Sequence, residues 1–259
     1  MVTGLLRQET KMTESHDTYV NWLEAENHAF ADACESDLAI GVPTCPDWTL
    51  HDLLAHHAAF QSWITTIVHD RLLEPFAPAS VAPPDDDAVS WYRSIGARLV
   101  TTLRSAPPGA SVWGVTNQQT VGAWARRQAS ETSVHRWDAQ NASGVATPIA
   151  HADDYISEIL EHLLPGLITS FGAPLPQGTL AIRATDSANT WTATSSTGRI
   201  ISVLGVKGHV DRADDTPADV TLSGTASDLL LALWNRPSST ETNGDHDVLS
   251  QWRRALVGS

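Results

Sequence analysis

The residues best suited to chemistry in this chain are a glutamate and a histidine four apart, in Glu131-Thr-Ser-Val-His135. On a helix, residues i and i+4 share one face about 6 Å apart along the axis, so a carboxylate and an imidazole at this spacing can reach one cation. His56 offers a third donor. It sits mid-helix on the stripe of Leu53, Leu54 and Phe60, and a histidine turned into a helical bundle needs a polar partner or a metal. Two imidazoles and a carboxylate leave a tetrahedral ion one open position, the catalytic pattern for zinc; structural sites close four ligands and favour cysteine. The ordinary meaning of a Glu-x-x-x-His spacing is an ion-paired helix face, and a chain with 11 histidines and 30 acidic residues offers many such chances.

Other candidates are weaker. His57 points about 100° away from His56 around the same helix, so only one of the pair is expected to face the site. His16, His28, His51, His69, His151, His162, His209 and His246 lie among polar residues or near element ends and read as solvated, with His28 the nearest to half-buried. Cys34 and Cys45 are too few for a disulfide framework and read as thiols. No cation near Cys45 in sequence would activate it, so packing is its expected role. Among ten tryptophans, Trp48, Trp63, Trp124 and Trp137 fall in helical segments where a bundle core would use them. The chain has no G-x-S-x-G, no Walker lysine loop and no G-x-G-x-x-G, so the hydrolase, nucleotide-triphosphatase and dinucleotide readings lack their motifs.

The elements that must position these residues follow from periodicity and punctuation. An amphipathic helix is expected over 14–37, from Tyr19, Val20, Leu23 and Phe30. Pro43 and Pro46 break the chain, and Thr49 with Asp52 resembles a capping box opening a second helix that runs to about Arg71. A Pro/Ala-rich connector leads to Asp85-Asp86-Asp87, acidic residues suited to the start of a third helix that ends before Pro107. The fourth spans 120–142 and stops at Asn141-Ala-Ser-Gly144. A fifth covers 153–170. Short β-prone runs at 179–185, 190–194 and 199–203 then read as an antiparallel meander, with a fourth strand at 220–222 and helices at 226–234 and 248–257. The fold class is therefore an all-α four-helix up-down bundle followed by a smaller α+β domain with an antiparallel sheet. The division is a loose leader at 1–11, with Met12 as a second candidate start, a helical domain at 12–148 and the α+β domain at 149–259.

Composition narrows the partners. Of the 259 residues, 30 are acidic and 16 basic, for a net charge of −14, and the longest basic runs are pairs. Phosphate backbones and anionic lipid are repelled by such a surface, so neither nucleic acid nor membrane is an expected partner. No apolar run nears the ~20 residues of a membrane span. A cytoplasmic protein is expected. Only Lys11 and Lys207 are lysines; the arginine excess suits a GC-rich genome.

Three segments together resemble the mycothiol-dependent maleylpyruvate isomerase family: Val42-Pro-Thr-Cys-Pro-Asp-Trp-Thr-Leu-His-Asp-Leu-Leu-Ala-His56, Glu131-Thr-Ser-Val-His-Arg-Trp-Asp138 and Asp228-Leu-Leu-Leu-Ala-Leu-Trp-Asn-Arg236. Their order and separation match as well. The resemblance implies a DinB-like helical domain whose metal ligands fall on His56, Glu131 and His135, and a C-terminal domain similar to sterol-carrier folds. It places the family's functional arginine on Arg236, suited to pairing with a substrate carboxylate. It also implies two cofactors, a divalent metal with zinc the first choice, and mycothiol, the small thiol of actinobacteria. The expected partners are thus a small-molecule thiol and an electrophilic substrate. A metal-bound thiolate would attack that electrophile, ending in S-transfer, thiol exchange or cis–trans isomerisation. Where many relatives have a leucine and glycines after the metal histidine, this chain has His57-Ala58-Ala59, which leaves the substrate open. The competing readings are a non-catalytic module binding a metal or small ligand, and a metal-dependent hydrolase activating water.

Overall fold

The computed structural model describes residues 14–35, 37–77, 82–84, 87–187, 189–196, 199–203 and 217–257. The leader at 1–11, Met12, Asp85, Asp86 and His209 lie outside them. Four long helices come first. Helix α1 (His16–Ala33) starts where the Ser15 hydroxyl accepts from the Thr18 amide, and α2 (Leu50–Asp70) starts at a complete Thr49/Asp52 capping box. Helix α3 (Ala88–Ser105) follows Asp87, and α4 (Val121–Ala142) is capped by Thr120.

The first three helices bury one stripe each, as in Tyr92, Ile95, Leu99 and Leu103 of α3. Helix α4 differs. It is buried on nearly every side, yet its buried residues include Arg126, Arg127, Gln128, Ser130, Thr132, Ser133, His135, Arg136 and Asp138. A central helix this polar must find its partners inside the protein, because an unpaired buried polar group costs roughly 1–3 kcal/mol.

Helix packing departs from the up-down expectation. Helix α1 lies against α4 and α3, and α2 against α3 and α4, so α1 and α2 form a diagonal pair that meets through side chains across the core, as in Gln61 Nε2 donating to Asn27 Oδ1. The long connections 34–49 and 106–120 permit this, since only short loops force chain neighbours to be spatial neighbours. Its effect is to set α2, bearing His56, beside α4, bearing Glu131 and His135.

The second half opens with one continuous helical rod: α5 (Ala152–Glu158), a π-helical turn (Ile159–Leu163) and α6 (Leu164–Phe171). Pro165 has no amide proton to give to the preceding turn. The Glu161 carbonyl accepts from the Asn117 side-chain amide instead, and the His162 carbonyl from the Asn117 backbone N–H. The same loop presses on Gly166, where an added Cβ would stand 2.4 Å from the Val115 carbonyl oxygen.

The sheet is mixed, which corrects the antiparallel expectation. Strands β1 (Gly178–Ala184), β2 (Thr190–Ser196) and β3 (Arg199–Val203) do form a meander, but β4 (Val220–Gly224) pairs parallel with β1, and β5 (Glu241–Gly244) closes the order β3-β2-β1-β4-β5. The cause is visible in β1: Leu180, Ala181 and Ile182 are all buried, so this strand is interior and both of its edges need a partner. Helices α7 (Ala226–Leu233) and α8 (His246–Val257) complete the domain. One apolar core runs through both halves, joining Val134 and Trp137 of α4 with Tyr155 of α5 and Leu229, Leu230 and Leu233 of α7. Each such fully buried side chain contributes about 1.5–3 kcal/mol by area. Among the described residues no helix is long and apolar enough to cross a membrane.

Candidate functional site

Glu131 and His135 stand one turn apart on α4, and the His135 Nε2 faces Glu131 Oε1 at 3.3 Å. The other ring nitrogen, Nδ1, lies 3.1 Å from Asp138 Oδ2. Asp138 is fully buried, and burial alone would raise its pKa. Hydrogen bonds from His135 and Arg236 outweigh that and hold the carboxyl down at about 2, so the group is a carboxylate and can only accept. His135 Nδ1 therefore carries the proton it donates to Asp138, and in the neutral ring the lone pair of Nε2 points toward Glu131.

Three segments meet on Asp138. The Thr44 hydroxyl, from the Pro43–Pro46 loop, donates to Oδ1 at 2.6 Å. Arg236 donates from Nε to Oδ1 at 3.1 Å and from Nη2 to Oδ2 at 2.8 Å. Local geometry aims both. Val42 N–H bonds the Trp48 carbonyl and pins the loop; Asn235, at φ +57°, ends α7 in the left-handed region and turns Arg236 back, and the Arg236 N–H bonds the Leu231 carbonyl. Arg236 was expected to meet a substrate carboxylate. Its fork is occupied by Asp138, and Nη1 donates to the Trp234 carbonyl at 2.9 Å.

The histidine pair is arranged differently from the expectation that only one ring faces the site. The rings of His56 and His57 lie 5.7 and 5.4 Å, centroid to centroid, from that of His135. The core stripe of α2 is Leu53, Leu54, His57, Ala58, Gln61 and Ile64, so His57 is the buried residue and His56 the exposed one at its edge. The i, i+3/i+4 pattern fits either choice within one residue, which is why periodicity alone misplaced them. Burial and the nearness of His135 lower the His56 pKa to about 4. His56 is therefore neutral at pH 7 and has a lone pair to give. His57 is fully enclosed. Tyr92 donates its hydroxyl proton to Asn27 Oδ1 at 2.7 Å and so accepts from His57 Nδ1 at 2.9 Å, while His57 Nε2 accepts from the Thr132 hydroxyl at 3.3 Å. Both of its nitrogens are used.

Glu131 has a competing partner. Its Oε2 is paired with Arg127, which is buried, lies 5.1 Å over the Trp234 ring and stands 3.7 Å from Glu158. Among the described residues no group of three or more His, Cys, Asp or Glu side chains is placed to hold a metal ion. The donor chemistry nevertheless fits a divalent cation. Two zinc ligands at about 2.0–2.1 Å and a tetrahedral angle are about 3.3–3.4 Å apart, the separation of His135 Nε2 from Glu131 Oε1.

The remaining described histidines are not brought to the cluster. His16 bonds the Leu103 carbonyl, His151 stacks on Trp22, and His162 is half-buried with its pKa lowered to about 4 by burial and Arg126, so it is less solvated than expected. Both cysteines are free, and burial raises the Cys45 thiol pKa, with Asp138 adding. Trp124 and Trp137 are buried as expected, whereas Trp48 lies in the loop ahead of α2. A cleft of about 500 Å³ opens at the domain seam beside Trp137, Thr147, Ser227, Asp228 and Ser238, but none of His56, Glu131 and His135 lines it. Donor chemistry, and not volume, locates the candidate site. In the sequence the one signal for Asp138 is its position one helical turn beyond a candidate ligand histidine.

Two family models match the chain, the mycothiol maleylpyruvate isomerase N-terminal domain over residues 23–140 and the C-terminal domain of the same enzyme over 150–257. No curated protein matches. Among solved structures, the chain is similar to a crystal structure of the mycothiol-dependent maleylpyruvate isomerase, with TM-score 0.54 and 15% identity over 89% of this chain and 93% of that one. A histidine-to-alanine variant of that isomerase is similar at TM-score 0.53 and 16% identity, with the same coverage. At these identities the likeness is one of fold.

Proposed function

Because the chain belongs to the mycothiol-dependent maleylpyruvate isomerase family, we propose that it is an enzyme that uses mycothiol as a nucleophile on an electrophilic small molecule, at a site made by His56, Glu131 and His135. The observation that carries this reading is the 3.3 Å approach of His135 Nε2 to Glu131 Oε1, both of them acceptors when the His135 ring is neutral, with His56 alongside. Two lone pairs held together this way are reconciled by a shared cation, either a proton or a metal. His56, Glu131 and His135 would hold a divalent ion, zinc by donor set.

When bound, such an ion favours the ionised form of a thiol, which at its ordinary pKa near 8.5 is only about 3% thiolate at pH 7. The protein's own residues do the rest. Asp138 fixes the His135 ring, Arg127 balances the charge of Glu131, and the Trp234 ring covers the Arg127 guanidinium. Addition of the thiol sulfur to a conjugated double bond turns it into a single bond; rotation and expulsion of the thiol return the trans isomer, with the thiol unchanged. Isomerisation of the maleylpyruvate type is the reading nearest the family. S-transfer or thiol exchange follows if the adduct persists or a leaving group departs instead. Arg236 belongs to the same site by way of Asp138.

The test is elemental analysis of the purified protein, followed by maleylpyruvate turnover with and without mycothiol. About one equivalent of zinc and strictly thiol-dependent turnover are expected. Protein that stays metal-free after zinc reloading, with no thiol-dependent reaction, returns the chain to a ligand-binding module.

A further inference from the structure

All three sequence segments that carry the family resemblance end on one atom group. Thr44 comes from the first, Asp138 from the second and Arg236 from the third, and the Asp138 carboxylate is where they meet. Asp138 has no exposed surface and accepts four hydrogen bonds, from Thr44, from His135 and two from Arg236. Two of these come from a residue of the α+β domain, 98 positions along the chain, so the carboxylate ties the second domain to a side chain of α4.

We propose that Asp138 is the positioning residue of the site and that Arg236 acts through it, on the tautomer and orientation of His135, and not directly on the substrate. The geometry of Arg236 argues for this. A guanidinium recognises a carboxylate best with two parallel N–H groups, and here Nε and Nη2 are both committed to Asp138 while Nη1 is on the Trp234 carbonyl. A substrate carboxylate would have to displace a fully buried one. The bonds also do what positioning requires. Clamped by Arg236 and Thr44, Asp138 cannot follow a rotation of the His135 ring, so Nδ1–H stays on Asp138 and the lone pair of Nε2 stays directed at Glu131. A carboxylate behind a ligand histidine sets its tautomer and basicity, and its loss costs about 10–100-fold in metal affinity. The second domain then has a defined part in the chemistry: it holds one side of a site whose ligands all come from the first.

This inference rests on the reading of His135 as a metal ligand, and the experiment separates the two. Zinc affinity by chelator competition and the visible spectrum of the cobalt(II) form are measured on the full chain for wild type, Arg236→Gln, Arg236→Lys, Asp138→Asn and the double variant Asp138→Asn/Arg236→Gln. Nitrogen-15 shifts of the His135 ring are read in the metal-free proteins. Arg236→Gln is expected to weaken zinc binding about 10-fold or more, change the cobalt spectrum and mix the His135 tautomers. Arg236→Lys, which keeps the charge without the fork, should recover only part. The double variant should be no worse than Asp138→Asn alone, because the arginine has no route except the carboxylate. If Asp138→Asn does not fold, Thr44→Val removes one bond to the same carboxylate and should shift affinity and tautomer in the same direction. Wild-type zinc affinity, spectrum and tautomer in Arg236→Gln, with a raised substrate KM, would overturn the proposal in favour of a substrate clamp. A wild-type protein that binds neither zinc nor cobalt would overturn the metal-ligand reading, and this inference with it.

Discussion

Two neighbouring clusters use the same residue types to opposite ends. In the bundle core, His57 has both nitrogens occupied, by Tyr92 and Thr132, and the chain continues through Asn27 Oδ1 to Gln61. One helix away, His135 has one nitrogen occupied and the other facing an acceptor. Both nitrogens of His57 find protein partners, although Asn27 Nδ2 and Gln61 Oε1 in the same network have none among the described residues. The second nitrogen of His135 meets Glu131 only through an added proton or a metal ion, and that asymmetry separates a structural histidine from a functional one more clearly than burial does, since both rings are buried.

The strongest way to break this comparison is to delete each side in turn. His135→Ala should abolish zinc binding and reduce thiol-dependent turnover by more than about 100-fold, beyond the loss typical of a supporting residue. Its thermal stability should change far less than its activity, because the ring is not part of a closed network. If zinc content stays near one equivalent in this variant, the functional cluster has been misplaced.

On the other side, Tyr92→Phe removes the acceptor for His57 Nδ1–H and the donor to Asn27 Oδ1 while keeping the ring volume. It should cost about 1–3 kcal/mol in urea unfolding, the range for leaving a buried polar group unpaired. Zinc content should remain at the wild-type value. A variant that unfolds normally but loses its metal would mean that the His57 network serves the site, and the division between the clusters would dissolve.

Much of this was legible in the sequence, and the reasons are particular. Long amphipathic stripes and capping signals such as Thr49/Asp52 announce helices because each is a local event. Glu131 and His135 are legible for the same reason, being one turn apart on one helix. His56 and His57 are not separable by pattern, since a core stripe spans more than one residue's width and tolerates either at its edge. Strand β5, Glu241-Thr-Asn-Gly244, has no apolar alternation to announce it; it exists because β4 has an edge to pair. The parallel β1–β4 pairing and the Arg236–Asp138 bonds are long-range, and no local propensity encodes them.

The smallest expected effect is one of slope, and it concerns a third buried acceptor. Glu158 is fully enclosed at the start of the π-helical turn, and neither of its oxygens has a hydrogen-bond partner among the described residues. Arg127 is its nearest cation, at 3.7 Å, beyond hydrogen-bond reach and already paired with Glu131. Burial raises the Glu158 pKa, and Arg127 and Arg126 offset this only in part. The folded protein therefore holds a proton that the unfolded chain releases near the ordinary glutamate value of about 4.3. That contribution to stability is complete below the unfolded value and is lost as pH rises through the higher folded one. Glu158→Gln keeps the shape and removes the titration, so the variant should gain on wild type as pH increases. Unfolding free energies at a series of pH values from 4 upward measure that difference directly. A difference that runs the other way, with wild type gaining as pH rises, would mean that Glu158 is ionised and bound to Arg127. It would then belong with the closed networks, and Arg127 would be shared between two carboxylates instead of serving Glu131.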